Sequence, residues 1–529
     1  MVSCVLLCSL MYRIAAAACM YATIRGGLQH TPDCFWPEPL RASHSEPISG
    51  SASHWRQFGL ARRAGLTPVL LHRIAIAFVD ISSFPSPPLS PRAQTPTEVT
   101  SLPNGVRVAT QKRPTGSASV GVYIDAGSRF EPAPGVAHVA HRLIAPGGFG
   151  TPPPQALADQ GVVFETSATR EMTSVLARGR SADTSAMIKG LTACLASPDV
   201  SEAAVGAAKE AAATAAEAIS STPEEEVMDN LHSWGFQGTA LARPVVPLSA
   251  EGGVAGVTPA DVSAYVAEHF QPHRLVIAAA GEVDHASAVA AVTEALGSLP
   301  SNKAGTSSVD AVKAAPAFLT GSDIRVRDDY KPLAQFAVAF ESCGAAHPDA
   351  PAFLVLQELL GEWHVASTTG GYVSNRLANA LDDLPNAVSF STFNLSYTDT
   401  GLFGIRSVGT APDLDDVAYS VMHELVRPAF KVSPAALTAA KAALTTRILG
   451  AHNTTADSVA TIGREMHMFG RAMPVAEWIA RLDAVDAPVI NRIVSKYIYD
   501  REIAVSAIHN TYTLPDLTWL RRRTFHNTF

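Results

Sequence analysis

What this chain has little of narrows it first. Only six cysteines occur in 529 residues. Cys4, Cys8, Cys19 and Cys34 lie near the start, and Cys194 and Cys343 are far apart in the remainder. No spacing among them reads as a disulfide framework or a cysteine zinc site, which fits a reducing interior. Aromatic residues make up 7% and charged residues 17%, against 47% apolar. The composition is that of a globular chain with a large core, and a disordered chain is excluded. Lysine is absent from residues 1–97. From residue 98 onward no run of about 18 apolar residues occurs, so no spanning helix is expected there. Patterns of haem or iron–sulfur ligands are also missing, and no cofactor is expected.

The charge is unevenly spread. Residues 1–97 hold eight arginines and four acidic residues (Asp33, Glu38, Glu46, Asp80), a net of +4, which leaves −12 of the chain's −8 for the rest. A mildly acidic body lacks the basic footprint of a nucleic-acid binder. The first segment is rich in Arg, Ser and Ala and poor in acid, the composition of a mitochondrial transit peptide. Its apolar stretches, Val2 to Met11 and Ile14 to Ile24, also admit a secretory signal or a short membrane anchor. A wrongly chosen start codon is a third reading of the first few dozen residues. The Pro/Ser run from Phe84 to Pro91 cannot join a sheet or a helix. Residues 1–97 therefore read as leader and linker, and the folded body should begin just after them.

The body shows one order of elements twice. Leu102 to Ala109 combines an Asn-Gly turn signal with a β-branched run, and Ser119 to Asp125 reads as a second strand before a helix opening near Pro134. Later, Leu333 to Phe340 reads as a strand, Gly344 to Pro348 as a turn and Ala352 to Gly361 as a helix. The ends match as well. The helix Asp261–Phe270 precedes the strand Arg274–Ala280, and the helix Pro488–Tyr497 precedes the strand Arg501–Ala507. Val262 to Val489, Phe270 to Tyr497 and Arg274 to Arg501 share one offset, the mark of an internal duplication. Ala-rich helices lie between, over Asp183–Leu195, Val200–Ser220 and Ala435–Arg447. The expected fold is α+β: two tandem homologous domains, each a mixed or antiparallel sheet with helices packed on one face, together enclosing a cavity. Their ranges read as 98–300 and 323–520, with a linker at 301–322 and a basic tail at 521–529.

The stretch Gly127 to Leu143 carries the most chemistry. The run Ala126-Gly-Ser-Arg-Phe-Glu131, followed by Gly-Val-Ala-His138 on a helix, resembles the pitrilysin-type (inverted zincin) metallopeptidases. Within them it resembles most the mitochondrial processing peptidase and the core subunits of the cytochrome bc1 complex. The resemblance implies a helix bearing H-x-x-E-H, whose two His bind zinc while the Glu activates water, with a Glu on a later helix as third ligand. His138 matches the first His. His141 stands where the catalytic Glu belongs, and Arg142 where the second His belongs. A guanidinium has no lone pair for a metal. Pairing His138 with His141 keeps two imidazoles near one face but puts no Glu between them. Counting back from Leu231-His-Ser-Trp-Gly-Phe-Gln-Gly-Thr-Ala-Leu241, the family's two Glu positions fall on Ala215 and Ala218. Glu217 is one residue off and turned by about 100°. The resemblance thus implies no catalytic residue here and no metal. A weak His138–His141 metal site is the alternative to two ordinary cavity-facing histidines.

The second half points the same way. Leu360-Gly-Glu-Trp363, Thr368-Thr-Gly-Gly371, Ser374-Asn-Arg-Leu-Ala378 and Ser389 to Gly404 resemble the processing peptidase β subunit and core protein 1 in order and spacing. So do Ile462-Gly-Arg464, Gly470-Arg471, Pro474 to Trp478, and Ser495-Lys-Tyr497 before Asp500. Gly370 and Gly371 allow close backbone approach in a loop. Asn394, Tyr397 and Asp399 sit on a strand and turn, as turn chemistry and sheet packing or as a remaining peptide contact. The cluster Arg521-Arg522-Arg523 reads as solvated, with a contact to acidic lipid or to a partner as the alternative. The resemblance spans roughly residues 98–520. It implies a non-catalytic subunit on the matrix side of the mitochondrial inner membrane. Its partners would be a second core subunit, cytochrome b, cytochrome c1 and the Rieske protein. The rival implications are a catalytic processing-peptidase β subunit and a soluble substrate-binding partner of one.

Overall fold

The computed structural model describes residues 96–144, 155–196, 198–247, 253–297, 299, 308–367 and 375–525. The leader up to residue 95 and the Thr368–Gly371 loop lie outside the described residues.

In chain order the N-terminal half holds β1 (Glu98–Ser101), β2 (Arg107–Lys112), β3 (Ser117–Ile124), α1 (Val136–Ile144), α2 (Gln155–Asp159), β4 (Val163–Ala168), β5 (Thr173–Arg180), α3 (Thr184–Ala196), α4 (Glu202–Ser220), α5 (Pro223–Gly235), α6 (Pro259–His269), β6 (Leu275–Gly281) and α7 (His285–Leu296). After α8 (Ser308–Ala314), the C-terminal half runs β7 (Ser322–Arg327), β8 (Leu333–Cys343), α9 (Ala350–Leu360), β9 (Glu362–His364), α10 (Arg376–Asp382), β10 (Ala387–Ser396), β11 (Thr400–Thr410), α11 (Leu414–Val426), α12 (Pro434–Gly450), α13 (Thr455–Met468), α14 (Val475–Asp483), α15 (Ala487–Tyr497), β12 (Ala504–His509) and α16 (Leu517–Arg523). The Asn-Gly signal proves to be a turn between two strands, β1 and β2, with Gly105 at φ +104°.

The two sheets repeat one plan. Their orders are β1-β2-β6-β3-β5-β4 and β7-β12-β8-β11-β10-β9. In each, the last strand of the half lies between two earlier strands, parallel to one and antiparallel to the other (β6 between β2 and β3, β12 between β7 and β8). The duplication is therefore visible in the topology, but its register differs by one residue from the one read in the sequence. Leu275, Ile277 and Ala279 face the helices of their own half, as do Ile503, Val505 and Ala507. That pairing advances by 228 rather than 227. A one-residue slip would turn every strand side chain to the other face. In the helices, buried Val262 and Tyr265 likewise correspond to buried Ile490 and Ile493, not to the partly exposed Val489.

Each half packs its own helices on one sheet face, and one helix from the other half covers the second face. Helix α5, from the N-terminal half, lays Val227 and Leu231 on Ala337, Ala339, Ala504 and Ile508 of the second sheet. Helix α13, from the C-terminal half, lays Val459, Ile462 and Met466 on Tyr123, Val276, Ala278 and Ala280 of the first. The approach of α13 needs Gly463: a Cβ there would sit 2.2 Å from the Tyr123 ring. Strand alternation makes this exchange possible, because even the second face of each sheet is apolar.

Candidate functional site

Helix α1 starts where a buried carboxylate waits for it. Glu131 accepts the backbone N–H groups of Gly135 and Ala137 at 3.1 Å each, covering two donors of the first turn. Burial lifts this carboxyl to about 7, against those two N–H groups and the nearby Arg243. The Arg243 guanidinium also donates to the Glu131 carbonyl. Gly135 has φ +87°, and a Cβ there would meet Val254 and Pro247 at 2.9 and 3.0 Å. The loop therefore admits glycine only.

The helix brings His138 and His141 to neighbouring positions, with ring centroids 6.3 Å apart. Both are buried, at 5% and 7% exposure. Among the described residues, neither ring nitrogen of His141 has a hydrogen-bond partner. The Arg142 Nε stands 3.5 Å from His138 Nε2, so a permanent cation sits against one of the two imidazole nitrogens. Burial holds His138 down to about 4 and His141 to about 3, with the Arg142 charge adding to both. Helix α4 packs against α1 through Ala204, Val205, Ala208 and Ala212. Ala218 and Glu217 are exposed on it and Ala215 is half-buried. Among the described residues no three His, Cys, Asp or Glu side chains converge to hold a metal ion. The zinc of the pitrilysin pattern does not fit these residues: His138 stands alone among the expected donors, beside a guanidinium that repels a cation.

The chemistry that the structure does assemble lies one turn earlier in the motif. Arg129, 4% exposed, donates two bonds of 2.7 Å to the two carboxylate oxygens of Asp399 and one of 2.7 Å to Glu171. Asp399 also accepts the Ala317 N–H at 2.8 Å, and Glu171 accepts the Thr398 N–H and hydroxyl at 3.1 Å each. Burial pulls the Arg129 guanidinium down and its two carboxylates pull it up; the carboxylates win. Burial pushes the Asp399 carboxyl up, but the bond and charge of Arg129 and the Ala317 N–H together bring it below its ordinary value, while burial leaves Glu171 raised. Asp399 is thus the firmly ionised partner of the pair. Next to this node, His232 Nδ1 lies 2.6 Å from the Met228 carbonyl, which can only accept. The proton is therefore on Nδ1, and Nε2 accepts the Tyr397 hydroxyl at 2.8 Å. Arg170 pairs with Asp229 at 2.5 Å.

So Tyr397 and Asp399 join the halves, a role beyond turn chemistry. Arg129 and Glu171 were not singled out from the sequence, since no spacing rule links positions 270 apart. The available signal was an Arg and a Glu in short connections beside the buried strands β3 and β5, where a lone charge would be costly. Between the halves lies a cavity of about 660 Å³. Arg170, Glu171, Asn394, Tyr397, Glu465 and His467 are among its lining residues. The basic cluster at 521–523 is tied down: Arg521 bonds Asp500 and Glu502, and Arg523 lies over the Trp519 and Tyr419 rings.

Comparison with known proteins agrees with this plan. The family described as insulinase (peptidase family M16) matches residues 107–247, and the one described as peptidase M16 inactive domain matches residues 256–444. The probable mitochondrial-processing peptidase subunit beta of Arabidopsis thaliana is 36% identical over 439 residues, 82% of this chain and 82% of that protein. Cytochrome b-c1 complex subunit 1 of Mus musculus is 31% identical, over 81% of this chain and 89% of its own length. A chain of complex III2 from Candida albicans shares the fold, with a TM-score of 0.70, 23% identity and coverage of 81% of this chain and 99% of that one. The chain belongs to peptidase family M16, with the peptidase match followed along the chain by the inactive-domain match.

Proposed function

We propose that this chain is a non-catalytic structural subunit of the mitochondrial ubiquinol–cytochrome c reductase, of the core protein 1 type. The observation that carries the reading is Arg142 beside His138. A fixed cation stands where an active relative needs its second zinc ligand, His141 stands where it needs a general base, and Ala215 and Ala218 stand where it needs acids. The likeness to cytochrome b-c1 complex subunit 1 over four-fifths of the chain supports the assignment to that assembly. In this role the chain pairs with a second core-type subunit on the matrix side. It supports cytochrome b, cytochrome c1 and the Rieske protein, whose metals do the redox chemistry. Residues 1–97 act as the targeting leader, and membrane association runs through the partners.

A second reading has its own support. Relatives named mitochondrial-processing peptidase subunit beta reach 36% identity, above the 31% of the core subunit. On that reading the chain binds presequences, or helps an active partner to cleave them. Native electrophoresis of mild-detergent mitochondrial extracts, with haem staining and peptide identification, separates the two. Co-migration with cytochromes b and c1 is the expected result. Migration as a haem-free soluble heterodimer transfers the assignment to the processing peptidase.

A further inference from the structure

We propose that the two halves are held at one fixed separation by the buried node Arg129–Glu171–Asp399, so that the cavity between them keeps one width and the chain is a rigid spacer rather than a hinge. The proposal goes beyond membership of any particular complex, because it concerns only contacts within this chain.

Three observations carry it. First, the node crosses between the halves and is largely buried. The Arg129 and Glu171 side chains are 2% and 5% exposed, and the Asp399 side chain 17%. The N-terminal half supplies Arg129 and Glu171, and the C-terminal half supplies Asp399 and the Thr398 N–H. The segment between them adds the Ala317 N–H. Parting the halves would leave Arg129 paired with Glu171 but would break both Arg129–Asp399 bonds and both Thr398 bonds to Glu171, and removing one partner from a buried ion pair is strongly disfavoured. Second, two further cross-half contacts flank the node: the Tyr397 hydroxyl on His232 Nε2, and Arg107 Nη1 on the Met466 carbonyl at 2.9 Å. Third, each half lends a helix to the other's sheet. Opening must therefore peel α13 off Tyr123 and Val276, or α5 off Ala339 and Ala504, and expose two apolar faces together. Glu171 and Tyr397 also line the cavity, so the node forms part of its wall. A hinge needs a seam of few buried contacts that can absorb rotation. The seam here is the opposite.

The test is a distance distribution by pulsed electron resonance on the full chain. Spin labels go at Ala213→Cys on α4 and Ala443→Cys on α12, both exposed, with the chain lacking these two substitutions as labelling background. The wild-type node should give one narrow distribution. Asp399→Ala should broaden it or add a longer component at unchanged helix content by circular dichroism. Asp399→Asn should fall between, since its amide oxygen still accepts one bond from Arg129. If Asp399→Ala does not fold, Glu171→Gln makes the same comparison. Two populations in the unsubstituted node would overturn the proposal, and so would a folded Asp399→Ala chain with an unchanged distribution.

Discussion

In the C-terminal half, Phe336, Phe340, Phe353, Phe390 and Phe403 fill the space between sheet and helices. In the N-terminal half, Val120, Val122, Ile124, Val139 and Ala140 take the corresponding layer. The topologies agree and the fillings do not. The N-terminal half also keeps buried polar groups in that layer, His138, His141 and Glu131, while helix α9 offers Phe353, Val355 and Leu356. The difference teaches that one topology accepts two fillings: a helix with buried polar positions is paired with small residues, and a helix with apolar positions is paired with rings.

Breaking that comparison begins with the rings. Phe340→Ala should cost about 3–5 kcal/mol, and Val122→Ala, at a buried position of β3, about 2 kcal/mol. Denaturant titration of both variants measures the gap, and equal losses would remove the contrast between the cores.

Next comes Asp125, at the end of β3, whose carboxyl burial pushes up to about 7 while Arg274 and Arg107 pull it down. Its Oδ1 faces His467 Nε2 on α13 at 3.7 Å, and burial also holds that histidine down. A carboxyl raised in the folded state favours folding fully only below its unfolded value near 4. Its contribution is lost as pH rises from there to about 7. Asp125→Asn should therefore stabilise the chain at pH 8, by on the order of 3 kcal/mol, and leave it unchanged near pH 4. Thermal melts at the two pH values check the sign, and a variant less stable at pH 8 would contradict it.

His141 tests the polar layer from the other side. Its imidazole is held neutral to about 3 in the folded chain. The unfolded chain takes up that proton near 6.5, so wild-type stability should fall as pH drops through 6.5 toward 3. His141→Leu should remove this loss, gaining about 2 kcal/mol over wild type at pH 5 and much less at pH 8. The smallest effect belongs to exposed Glu217 on α4. Glu217→Ala should change stability by less than about 0.5 kcal/mol and metal content not at all.

Much of the fold was legible because its signals are local. The Asn-Gly turn, the apolar alternation of Ser119–Asp125 and the Ala-rich helices declare themselves within ten residues or so. The register of the duplication was not, because helix–strand units that look alike at offset 227 are told apart only by which face each strand residue buries. The degenerate motif was legible as a pattern around His138, Arg142 and Ala218. Its electrostatics were not, since the two histidines are held neutral by burial and by the Arg142 charge, and burial is a tertiary quantity. The Arg129 node was least legible of all. Each member lies in its own short turn, and only folding brings Thr398 and Asp399 onto Arg129 and Glu171.

The central claim is that the motif on α1 no longer holds a catalytic metal. Equilibrium dialysis of the purified full chain against zinc, followed by elemental analysis, measures this directly when wild type and His138→Ala are run together. The account predicts equal zinc in both after exchange into metal-free buffer. One zinc per chain in the wild type that disappears in His138→Ala would contradict it.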